Sequence, residues 1–208
     1  GLSASFDAAC VVRDQVLAEH PDFELHIVDT HLASVAEGLL VYEALVQHEK
    51  GMSAAELAAW AEEARCFVNE EFMVDDLEAL RRGGRISGAA ALVGGMLSIK
   101  PVVGVVDGDV VVLGKARGSK QSKNMVFQKI DEAGGIDFTR PIWVAYSGLS
   151  DTTARKYIAD SLAQAKAAEE AAADESAVPD DLPLTQVGAV IGTHVGPGGV
   201  AFAFFARE

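Results

Sequence analysis

DDLEALRRGGRISGAAALVGGMLSIKPVVGVVDGDVVVLGKARG, residues 75–118, decides how the chain folds. It opens as a short helix whose acidic start (Asp75, Asp76) and basic end (Arg81, Arg82) each suit the dipole end they occupy. Gly83 suits the left-handed conformation that stops a helix, and the break presents Arg85. Ser87 can cap a second helix of small apolar residues over 89–97. Pro101 leads into a strand over 102–106, Asp107-Gly108 is a strong two-residue hairpin signal, and 110–113 returns. A basic turn, GKARGSKQSK at 114–123, feeds the next helix.

Outward from this stretch, helices and strands alternate, which predicts an α/β fold. Upstream, Ala8, Val11, Val12, Val16 and Leu17 form an apolar stripe at helical spacing, and Ser3 or Ser5 can cap it. Phe23, Leu25 and Ile27 alternate with polar residues as in a strand, closed by Asp29-Thr30. A long helix follows over 32–49. Ser53 and Glu56 have capping-box spacing, ahead of Leu57, Trp60 and Ala64. Phe72-Met73-Val74 is a short strand. Downstream, a helix runs towards Ala133, a strand over 142–146, and a helix after Asp151 with Ile158, Leu162 and Ala165 inward. Residues 167–181 read as a frayed helix end and surface loop. A strand over 187–191, the loop GTHVGPGG and a strand over 201–205 close the chain. A mainly parallel sheet gives way to a region with a hairpin near Phe72. The expected domains are therefore 1–72, the remainder of an N-terminal α/β domain, and 73–208, a C-terminal one.

The 208 residues carry a formal charge of −14, which argues against nucleic acid, because phosphate binding draws on clustered Lys and Arg. The basic groups that do cluster (Arg81, Arg82, Arg85; Lys115, Arg117, Lys120, Lys123) stand against an acidic background. No apolar run reaches the ~18 residues that span a bilayer, and the start lacks a secretory pattern. The expectation is a cytoplasmic protein with no transmembrane segment. The two cysteines, Cys10 and Cys66, form no CxxC motif and read as packing residues, so no metal site is expected. Leu2 begins a helix at once, which implies that the chain starts inside a domain.

Four features are candidates for chemistry. GGRI at 83–86 reads by itself as a turn with an exposed Arg, and no GxxxxGK[ST] phosphate cradle exists. GTHVGPGG places His194 among glycines, where it could donate to an anion or face solvent. Ser3, His194 and Asp29 supply the residue types of a hydrolase, without a GxSxG elbow. Ser3 also suits a helix cap or a donor to a carboxylate at a helix N-terminus. The basic turn around Arg117 reads as a solvated helix start or as a docking point for an acidic partner.

Taken together and in order, these segments resemble the DegV family. LSASF at 2–6 is similar to the family's L-S-G-T-Y, and VDTHLASVAEGLLVYEA at 28–44 to its V-I-D-S segment ending in G-L-L-V-x-E-A. Residues 75–121 follow D-L-x-x-L-x-x-G-G-R-I, I-K-P, D-G and G-K-x-R-G. HVGPGGVAFAFF at 194–205 is similar to H-x-G-P-G-x-x-G. The family's opening D-S strand and T-S-Q-P-S-like loop have no counterpart, consistent with an absent N-terminal part. Ala4-Ser5-Phe6 and Thr30-His31 depart from the family pattern and bear on ligand preference more than on fold.

The resemblance implies a two-domain α/β protein: an incomplete parallel-sheet first domain, a mixed-sheet second, and one fatty acid held between them. It implies a non-catalytic carrier subunit of bacterial fatty acid kinase, serving phospholipid metabolism. Such a carrier presents the carboxylate of a long-chain fatty acid to a separate ATP-binding kinase subunit, with no cofactor, no metal and room for transient membrane contact. By the same resemblance Ser3 donates to the carboxylate with Arg85 and His194 close by. Arg117 matches the family's docking Arg for the kinase. Ala89, Leu92, Val93, Met96 and Ile99 would line the acyl chain. Burying a chain of about sixteen carbons contributes roughly 12 kcal/mol before association costs, so apolar walls are required. The alternatives are a stand-alone Ser/His hydrolase or transferase, and a lipid-sensing regulatory module.

Overall fold

The computed structural model describes residues 2–75, 77–86, 99–172 and 178–207. Among the described residues six strands form one mixed sheet: β1 (Val68–Met73), β2 (Ile99–Val106), β3 (Asp109–Arg117), β4 (Trp143–Tyr146), β5 (Leu184–Gln186) and β6 (Val200–Phe205), in the order β3-β2-β1-β6-β4-β5. Only the β4–β5 edge pairs in parallel; the other four pairings are antiparallel. The β2–β3 hairpin turns at Asp107-Gly108, with Val106 opposite Asp109, as the sequence predicts.

Seven helices accompany the sheet in the described residues: α1 (Ser5–Glu19), α2 (Ser34–Glu49), α3 (Ala54–Ala64), α4 (Glu78–Arg82), α5 (Gly118–Glu132), α6 (Thr152–Ala172) and α7 (Ala189–Val195). The period-2 alternation of β6 shows how they are layered. Phe202 and Phe204 point into a core with Val126, Phe127 and Ile130 of α5 and Ala154, Tyr157, Ile158 and Leu162 of α6. Ala203 and Phe205 point the other way, onto Val35, Ala36, Leu39 and Leu40 of α2. On that second face, Phe72 and Val103 meet Val74, Leu77, Leu80 and Ile86 around α4. The sheet is thus sandwiched between helices. Ser53 makes the expected capping box with Glu56, accepting the Glu56 N–H while the Glu56 carboxylate accepts from Ser53 N–H at 2.8 Å.

Several local expectations are corrected. Residues 23–27 form no strand; the segment has no ladder partner among the described residues. The 72–74 strand is longer, β1, and begins at Val68, ahead of the sequence-expected change near Phe72. The strand expected over 187–191 is β5 and then α7: Leu184–Gln186 takes the parallel edge, and the chain reverses through a short helix before antiparallel β6. Gly83 is right-handed (φ −73°) and Gly84 takes the positive φ of 70°. The apolar stripe of α1 meets no core: Val11 and Val12 are exposed, and no α1 residue is buried. Cys10 is half-buried, and Cys66 is exposed rather than packed. The helix expected over 89–97 lies outside the described residues.

Candidate functional site

A cavity of about 620 Å³ opens on the α2/α4 face of the sheet. Its size falls in the range of small-molecule sites, about 300–1,000 Å³. Ser3, Arg85 and His194 all line it, brought together from three parts of the chain. Leu2 N–H donates to Gly108 O at 3.0 Å, which fastens the start of the chain to the hairpin turn and sets Ser3 at the cavity. Ser3 Oγ then accepts from Ser5 N–H at 3.1 Å and lies 2.7 Å from Ser5 Oγ, a local turn that leads into α1. Arg85 follows the last turn of α4. Its Nε donates to Leu2 O at 3.2 Å and its Nη1 to Gly83 O at 2.6 Å, so the guanidinium joins the N-terminal segment to the α4 end.

His194 arrives from α7, which packs on α4. The close approach is made possible at Gly83, where a Cβ would lie 2.3 Å from His194 Nδ1. That nitrogen is buried and has no hydrogen-bond partner among the described residues. The HVGPGG loop has a packing purpose as well: a Cβ on Gly198 would meet the Asp75 carboxylate at 2.4 Å, and Asp75 is ion-paired with Lys100. Gly199 N–H donates to Ser147 Oγ at 2.8 Å, tying the loop to the end of β4. His194 therefore stands on a helix, and the glycines after it make room for protein groups.

The apolar walls differ from expectation. Ala89, Leu92, Val93 and Met96 lie outside the described residues. Ile99 opens β2 opposite Arg117 and is not among the lining residues. Instead Ile27, Val28, Phe72, Leu80, Val105 and Val110 contribute apolar surface. The cavity also meets residues that residue-type reasoning passed over. His31 lines it too, with Nε2 3.2 Å from Asp29 Oδ2 and the backbone at a positive φ of 54°. The signal was present in the polar close of VDTHLAS, but His31 reads as an isolated histidine in sequence. Glu70 also lines the cavity, 5% exposed, and burial alone raises its carboxyl to about 8. Its neighbour Glu71 points to the opposite face. There burial likewise raises the carboxyl to about 8, with nearby Lys129 opposing and Glu132 reinforcing.

Arg117 is outside the cavity. It is exposed at the junction of β3 and α5, where its N–H donates to Gln121 Oε1 at 3.0 Å. Among the described residues no group of three or more His, Cys, Asp or Glu could hold a metal ion, and no helix is long and apolar enough to cross a membrane.

Comparison with known proteins agrees with this architecture. A DegV domain-containing protein of Clostridium perfringens is 35% identical over 204 residues, 98% of this chain and 66% of the relative, so the chain spans about two thirds of that relative's length. A structure described as fatty acid binding of a DegV family protein from Thermus thermophilus is 30% identical, with a TM-score of 0.74, over 99% of this chain and 68% of that one. The Streptococcus pneumoniae fatty acid kinase B3 protein, loaded with linoleic acid, shares the fold at a TM-score of 0.80 and 21% identity, over 99% of this chain and 68% of that one. A family model described as "Uncharacterised protein, DegV family" matches residues 1–207, and the chain belongs to that family.

Proposed function

We propose that this chain holds a long-chain fatty acid in the cavity, with the carboxylate toward Ser3, Arg85 and His194, and presents that carboxylate to a separate kinase subunit for acyl-phosphate formation. The observation that carries the reading is one cavity that gathers a hydroxyl, a guanidinium and an unpartnered imidazole nitrogen beside apolar walls. A buried carboxylate needs donors or a counter-charge, and these groups supply both. An alkyl tail needs apolar area, which Ile27, Val28, Phe72, Leu80, Val105 and Val110 offer. The Thermus thermophilus relative, described as fatty acid binding, supports the same ligand class.

The role is that of a carrier without a catalytic step of its own. A Ser/His hydrolase needs its base within hydrogen-bond reach of the nucleophile. Here Ser3 Oγ engages Ser5, Asp29 engages His31, and no hydrogen bond joins Ser3 to His194. A location in the cytoplasm, where acyl phosphate would be consumed, belongs to this same reading.

Mass spectrometry of the denatured protein should release a fatty acid, and the delipidated chain should rebind one. Ser3→Ala removes one donor to a charged acceptor and should weaken binding about tenfold. A chain that neither carries nor rebinds fatty acid at micromolar concentration would overturn the proposal.

A further inference from the structure

Glu70 is a carboxyl placed where an alkyl chain would be expected to lie. The alternation of β1 sends Val68, Glu70 and Phe72 to the cavity face, while Glu71 and Met73 face α5. Glu70 is opposite Ala203 on β6, and the cavity it lines also takes apolar surface from Phe72, Val105 and Ala201. It forms no hydrogen bond or ion pair with any described residue, and burial is the sole influence on its titration. Arg85 therefore does not reach it; the guanidinium is committed to Leu2 O and Gly83 O. A carboxyl held at about 8 keeps its proton at neutral pH. It then offers one O–H donor and a carbonyl acceptor into the cavity.

We propose that Glu70 determines ligand specificity: its carboxyl takes the hydrogen bonds of a hydroxyl or oxo group carried on the acyl chain, so the cavity favours oxygenated fatty acids over plain ones. The inference rests on the fatty-acid reading and refines it. A plain alkyl chain laid over Glu70 would cut the carboxyl off from water and return no partner, which is the costly state of a buried polar group. A hydroxyl accepts the Glu70 proton and donates to its carbonyl oxygen. An oxo group accepts the proton alone. Head-group recognition is left to Ser3, His194 and the Arg85 N–H groups not donated to Leu2 O and Gly83 O.

The delipidated full chain is titrated with octadecanoic acid and with a series of its monohydroxy isomers along the chain. At least one isomer should bind about tenfold more tightly than octadecanoic acid. Glu70→Leu should abolish that preference and bind octadecanoic acid at least as well as the wild type. Glu70→Gln, which keeps a donor and an acceptor, should retain it. The proposal falls if no isomer exceeds octadecanoic acid in the wild type, or if Glu70→Leu leaves the ratio unchanged. Binding of octadecanoic acid without discrimination would sink this inference and leave the fatty-acid reading standing. Binding of none of the acids would sink both.

Discussion

At Gly83 the absence of one methyl group sets the position of an imidazole. The site has ordinary right-handed torsions, so nothing in its backbone demands glycine; the demand comes from His194 Nδ1, 2.3 Å from where a Cβ would be. Gly83→Ala should therefore push α7 away from α4 or swing the ring. Overpacking of this kind costs about 1–3 kcal/mol. A urea titration should show the lower midpoint, and fatty-acid affinity should fall with it. Gly84 makes a useful contrast. It has a positive φ of 70° and open space around it, so Gly84→Ala strains the backbone and leaves His194 untouched. If Gly83→Ala binds ligand like the wild type while Gly84→Ala does not, the contact with His194 is not what places the proposed head-group site.

Strand β1 carries two buried carboxyls side by side on opposite faces, and their protons couple the element to pH. Both are raised from the ordinary 4.5 to about 8 by burial. Below about 4.5 both folded and unfolded chains hold these protons. Between there and about 8 the unfolded chain has released them and the folded chain has not. Stability accordingly falls as pH rises, by ~1.4 kcal/mol per pH unit for each group, and levels off above about 8. Denaturant unfolding between pH 5 and 8 should show this decline, and Glu70→Gln with Glu71→Gln should flatten it; an unchanged slope would mean that these groups ionise freely. The same element explains what could be read in the sequence. The Asp107-Gly108 hairpin, the Ser53–Glu56 box and the helix after the basic turn are set by local chemistry and were legible. Val68-Asn69-Glu70-Glu71 hid the start of β1, because paired carboxylates look like surface until tertiary packing buries them. Val187 and Ile191 looked like a strand, because β-branched residues favour one. The need to turn back into antiparallel β6 overrode that preference. Ser3, Arg85 and His194 could be grouped only through the resemblance, since the contacts that join them span the whole chain.

Across the whole molecule, the hairpin separates the two basic groups of residues 75–118. Its turn holds the N-terminal segment through Gly108, and Arg85 reaches Leu2 at that end. Its other end pairs Ile99 with Arg117. Eight residues of β2 span about 24 Å, so Arg85 and Arg117 are too far apart to share one bound group. Arg117, with exposed Lys115 and Lys120 near it, is a local positive patch on a chain of charge −14. Such a patch steers an acidic partner more than it fixes a lipid. Arg85→Ala should weaken fatty-acid binding about tenfold, as loss of a charge-assisted contact does, yet leave kinase-coupled turnover intact at saturating lipid. Arg117→Ala should leave lipid affinity unchanged and lower the rate of acyl-phosphate formation with the kinase subunit at limiting carrier. Turnover by the wild type should decline as salt rises, and the variant should be less sensitive, because rim charges act mainly on association. Sites this far apart are expected to act additively. The double variant should lose both functions independently, and an Arg117→Ala protein that releases its lipid would show that the two ends of the hairpin serve one molecule after all.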